Sequence, residues 1–147
     1  MARATRNQRR SELLQRCGMV VRCHSSVSIR ADKPRGQSAE RTTMCTAFVE
    51  GEFTELINGS SAFSLMTYVA PDPGVGHVEI PCIGAITAIK PIVMGAIGMT
   101  QSEFQCLLTL ISTGTPRSCY LVFSKPRWRS ALIVSADFST KPPSEYE

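Results

Sequence analysis

The sequence predicts an α+β fold: a single small domain over about 42–138, a mostly antiparallel sheet of about five to seven strands with one packed helix, preceded by a flexible basic arm. Three observations predict it. Charge divides the chain, because residues 1–41 hold ten Lys/Arg against three acids, a net of +7, while residues 42–147 hold six against nine, a net of −3. Most of the second part consists of short β-branched and aromatic runs punctuated by Gly and Pro. Only the segment after Thr100 combines a helix-start signature with an apolar stripe of helical period.

A length of 147 residues suits one domain with one core, and 43% hydrophobic residues are enough to build it. The 19% charged content lies slightly below the usual share, which leaves room for an oligomer interface or a membrane contact. Six cysteines (Cys17, Cys23, Cys45, Cys82, Cys106, Cys119) are widely and irregularly spaced, and several sit within apolar runs. They are expected to be reduced, packed thiols in an intracellular reducing compartment, not a disulfide framework. Asn58-Gly59-Ser60 matches a glycosylation acceptor pattern but reads as a turn.

Taking the elements in order, Leu13, Leu14, Cys17, Val20 and Val21 recur at helical spacing, among Arg6, Arg9, Arg10, Gln15 and Arg16. They predict a basic amphipathic helix, weakened by Gly18. Ser25–Ser38, with Pro34 and Gly36, is a poor core former. This Arg-rich, Ser-containing, acid-poor arm resembles a mitochondrial transit peptide, which implies a mitochondrial address and removal of the segment near Arg22–Ser26. A disordered basic tail and a phosphate-binding arm are the other two readings.

Thr43–Glu50 and Glu52–Ile57 read as strands separated by a bend or bulge at Gly51. Asn58-Gly59 is a strong hairpin signal, with Ser60-Ser61 available to lengthen the loop. Ala62–Ala70 alternates Phe63, Leu65, Thr67 and Val69 against Ser64, Met66 and Tyr68, a strand covered on both faces. Pro71-Asp72-Pro73-Gly74 ends it. His77–Pro81 alternates like a further strand.

Ile83–Met99 is almost continuously apolar. A membrane span is disfavoured, because Lys90 near the centre costs roughly 2.5–3.5 kcal/mol on insertion and Pro91 breaks a helix. Two buried strands, about 83–89 and 91–97, fit the β-branched content better.

Thr100-Gln101-Ser102-Glu103 is a capping box, and Phe104, Leu107, Leu108 and Ile111 give one stripe, so a helix is expected over about 101–112. Gly114 and Pro116 stop it. Cys119–Ser124 and Ser130–Phe138 read as a hairpin joined by Lys125-Pro126-Arg127-Trp128-Arg129, and the tail 139–147 is polar and frayed.

The chain carries no phosphate-binding Gly loop with Lys-Ser/Thr, HExxH, CxxC, GxSxG or Asp-rich calcium loop. Pro73-Gly74-Val75-Gly76 contains a GxG but reads as a turn. Cys17, Cys23 and His24 are three soft ligands at a spacing that matches no zinc knuckle. His77 and Glu79 share a strand face, with Cys82 the nearest thiol for a small Cys/His enzyme, although strand alternation points it away. No catalytic residue, metal, cofactor or small-molecule substrate is assigned.

Three cations around the only tryptophan, at a hairpin tip, make the one coherent binding motif. Packing over the core edge is the commoner use of a lone Trp; stacking on a base, with cations on phosphates, is the alternative. The expected function is therefore a non-catalytic binding or assembly protein, working through protein contacts or self-association. A nucleic-acid binder using Arg6, Arg9, Arg10, Lys125, Arg127, Trp128 and Arg129 is second.

Overall fold

Period-two alternation organises this chain from Leu13 onward. The computed structural model describes residues 12–33, 35–70, 81–114 and 116–143. Its strands are β1 (Leu13–Asp32), β2 (Glu40–Ile57), β3 (Ser60–Val69), β4 (Gly84–Ala88), β5 (Val93–Met99), β6 (Ser118–Ser124) and β7 (Ala131–Ser139), and its helix α1 is Gln101–Thr113. The strands close in the order β1-β2-β3-β5-β4-β7-β6, with β6 returning to β1. All pairings are antiparallel except β3 with β5.

The expected α+β sheet with a packed helix is thus corrected to a closed, largely all-β barrel with one short helix. The reason lies in β1. Without residues 13–19, β6 would be a sheet edge; with them, Leu13↔Ser124 through Met19↔Ser118 pair and the barrel closes. The amphipathic helix expected over Leu13–Val21 is a strand, since Leu14, Gly18 and Val20 also fit period two and two strand partners outweigh a helix weakened by glycine. The segment expected as arm contributes β1 and the start of β2.

Inward side chains fill the barrel. Leu65, Ile86, Val93, Leu121, Phe123 and Ile133 have no exposure, and Phe53 packs on Phe63 with ring centroids 4.6 Å apart. Thr67 is buried among them and donates to the Ala47 carbonyl at 3.0 Å, which satisfies its hydroxyl. Glu50 and Arg22 pair on the outside, Nε to Oε2 at 2.8 Å.

The expected break at Gly51 is a close approach within one continuous β2. A Cβ there would stand 2.0 Å from the Met19 carbonyl oxygen, and β1 bulges between Val20 and Arg22 directly opposite. Asn58 and Gly59 form the expected two-residue turn, with φ of 46° and 87°, and the pair Ile57↔Ser60 leaves no longer loop. The 83–99 region forms two strands, as expected, and among the described residues no helix is long and apolar enough to cross a membrane.

Helix α1 forms where its capping box predicts. Glu103 N donates to Thr100 Oγ1 at 3.2 Å, and Thr100 N donates to Glu103 Oε1 at 3.0 Å. Phe104 and Leu107 are buried in the core, with Leu108 and Ile111 packed against it. The helix crosses one mouth of the barrel, between Ser25–Val27 of β1, Cys45 of β2 and the end of β3 on one side and the start of β4 and the ends of β5 and β7 on the other.

Gly51→Ala should cost about 1–3 kcal/mol or more in a denaturant titration, because the obstacle is backbone and cannot rotate away. Burial raises the thiol pKa of Cys119 from its ordinary 9.0, with the nearby Cys17, Asp137 and Cys23 adding to the rise. A raised folded-state pKa leaves stability intact below pH 9.0 and removes it above, so unfolding free energy should fall with pH from there; Cys119→Ala should flatten that limb.

Candidate nucleic-acid interface

At the barrel mouth opposite α1, three connections meet: the Asn58-Gly59 turn, the β4–β5 turn around Lys90, and the β6–β7 hairpin. The chain also enters β1 here, with Glu12 Oε2 3.8 Å from Lys125 Nζ. Both side chains are well exposed, so the pair contributes little stability.

The hairpin tip is built by local hydrogen bonds. Arg127 N donates to the Ser130 carbonyl at 2.8 Å and Ser130 N returns to the Arg127 carbonyl at 3.0 Å. Trp128 and Arg129 are left as the central turn residues, with φ of 64° and 130°. Asn and Gly normally occupy such positions, as at 58–59; a bulky side chain there costs on the order of 1–2 kcal/mol. Strain of this kind persists where the surrounding structure enforces it, commonly at functional sites.

Trp128 is 98% exposed. The expectation that it packs over the core edge is corrected: the left-handed turn conformation projects it away from the barrel. Beside it, Asn58, Ile89, Lys90, Pro126, Trp128 and Arg129 line a groove of about 300 Å³. Of the three cations that flank the Trp in sequence, Arg129 lines the groove, Lys125 faces Glu12, and Arg127 closes the hairpin through its backbone. Lys90 and Asn58 are the additions. Both lie in turn signals, Lys90-Pro91 and Asn58-Gly59, which the sequence presents as punctuation; only barrel closure brings them to the hairpin.

The remaining candidates do not assemble into a site. Arg6, Arg9 and Arg10 lie outside the described residues, as do His77, Glu79 and the Pro73–Gly76 turn. Cys82 is half-buried, and its proposed histidine partner is outside that range. Cys23 sits on the inward face of β1, where burial and the Glu50 carboxylate raise its thiol pKa, while His24 stacks on Phe48 outside at 4.8 Å. Adjacent residues on opposite faces cannot ligate one ion. Among the described residues no group of three or more His, Cys, Asp or Glu could hold a metal, and all six cysteine sulfurs are thiols.

No protein-family profile, curated protein or solved structure matches this chain.

Trp128→Gly should leave stability unchanged or raise it by up to about 1 kcal/mol, since it relieves a left-handed φ and removes no buried contact. A thermal melt checks this; a loss of more than that amount would mean the indole packs on the barrel.

Proposed function

We propose that this protein is a non-catalytic binding module for single-stranded nucleic acid, and that the mouth carrying the β6–β7 hairpin is its binding face. One observation carries the reading: a fully solvated tryptophan, fixed in a strained turn, with Lys90, Lys125, Arg127 and Arg129 at the same barrel mouth. An indole presented without packing offers a stacking surface to any base, and the cations supply phosphate contacts. The groove beside it gives the base or sugar a walled position.

Two further features support the choice of ligand. The strand that enters this mouth follows the segment containing Arg3, Arg6, Arg9 and Arg10, so the most basic stretch of sequence is joined to the chain at this end. Among the described residues the hairpin's one ion pair is Lys125 with Glu12, and Lys90, Arg127 and Arg129 have none. Assembly through protein contacts is the second reading, favoured by a different part of the molecule, the β1–β2 ribbon.

Trp128 is the only tryptophan, so its fluorescence reports this site alone. Titration with a short oligonucleotide should quench it. Four phosphate contacts should give log K against log salt a slope of roughly −3, and Trp128→Ala, followed by anisotropy of a labelled oligonucleotide, should cost about 1–3 kcal/mol. An emission spectrum that stays unchanged, or binding indifferent to salt, would remove the proposal.

A further inference from the structure

β1 is longer than the barrel needs. Its pairing with β6 ends at Met19, and Val20 N makes the last contact on that side, with the Arg117 carbonyl at 3.0 Å. From Val21 to Asp32 that edge has no strand partner among the described residues. On the other side β2 meets β3 only from Thr46 onward. Ser28–Asp32 and Glu40–Met44 therefore project as a two-stranded ribbon, roughly 17 Å long at the usual strand rise, while Val27 and Cys45 at its base face α1 across a groove.

A two-stranded ribbon is marginal in water when nothing covers it, and an open edge is a template for further pairing. This edge carries no proline and no lysine between Val21 and Asp32. Its inward face continues the core row of Val49 and Ala47 out to Val27 and Ile29, which are 60% and 56% exposed.

We infer that a second copy of this chain pairs antiparallel with the free edge of β1, about a two-fold axis at Val27, to make a four-stranded sheet across a dimer. The register follows from geometry. Antiparallel pairing of identical strands about a two-fold normal to the sheet keeps inward faces on one side, and overlap of the whole edge from Arg22 to Asp32 centres on Val27. That register sets Val27 against its own copy and Ile29 against Ser25. It also sets the outward Arg22 opposite the second copy's Asp32, twice per dimer. Arg22 already bonds Glu50 through Nε and Nη2, yet its side chain is 71% exposed and its Nη1 donors are left for a second carboxylate. A shift that centres the axis on Ser26 would instead oppose Arg22 and Arg30, which is repulsive. Complete overlap and charge complementarity select the same register.

The test is sedentary in chemistry and direct in readout: sedimentation of the full chain over a concentration series, without nucleic acid. A monomer–dimer equilibrium is expected. Arg22→Asp and Asp32→Arg should each weaken the dimer about tenfold by opposing like charges, and the double swap should restore it. In a Cys45→Ser, Cys106→Ser background, which removes the thiol opposite position 27 on β2 and the exposed thiol of α1, Val27→Cys should give a covalent dimer on mild oxidation that the background itself does not give. Circular dichroism of each variant separates lost pairing from lost folding. Monomer at all concentrations up to the solubility limit overturns the inference; so does a dimer that neither single swap weakens. Trp128→Ala should leave the dimer unchanged, so this outcome and that of the nucleic-acid reading are independent.

Discussion

The double pairing of β1 is the constraint on which the rest depends. Over Leu13–Met19 the strand bonds to β6, and from Gly18 onward it bonds to β2, so one stretch of chain joins the first and last staves of the barrel. Closure needs that strand to turn sharply against β2. The bulge between Val20 and Arg22 provides the turn, and Gly51 across from it allows the Met19 carbonyl to lie where a Cβ would otherwise be. The inward row then holds its register: Val20 is buried, and Cys23 continues the line against Val49. A β1 that failed to dock would expose an edge on β6 and one on β2 together.

Barrel topology also sets the two proposed surfaces apart. The hairpin turns β2–β3 and β6–β7, the β4–β5 turn and the start of β1 all fall at one end, where among the described residues no helix covers them. That is why four cations and a solvated tryptophan can gather without a dedicated domain. The opposite mouth is filled by α1, whose Phe104 and Leu107 complete the core, and it is flanked by the projecting ribbon. The two surfaces share no residue. Binding at one end and self-association at the other would double the number of ligand sites per assembly, which raises avidity without new contacts.

Local signals in the sequence were read well where the local chemistry is self-sufficient. Thr100 and Glu103 specify the start of α1 by their own side chains, Asn58-Gly59 specifies its turn, and Phe63, Leu65 and Thr67 mark the inward face of β3. What escaped was non-local. Leu13, Leu14, Cys17 and Val20 satisfy a helical period while Leu14, Gly18 and Val20 satisfy a strand period, and only the presence of β2 and β6 on either side decides between them. Misplacing that one segment turned a closed barrel into an open sheet with a basic arm. The site was legible in part: the Lys125–Arg129 cluster is visible in sequence, whereas its exposure depends on the positive φ at Trp128, for which no residue type gives a signal. Lys90 joins it through a contact across the barrel mouth that linear spacing does not reveal.

The closing strand is tested most directly by native-state hydrogen exchange resolved along β1. If β1 is a stave of the barrel, amides of residues 15–20 that bond to β6 and β2 should exchange only through global unfolding, as slowly as those of Leu121 and Phe123 in β6. Rapid exchange throughout residues 13–32, with β6 still protected, would contradict the account. It would return that segment to the status of an arm and leave the barrel open.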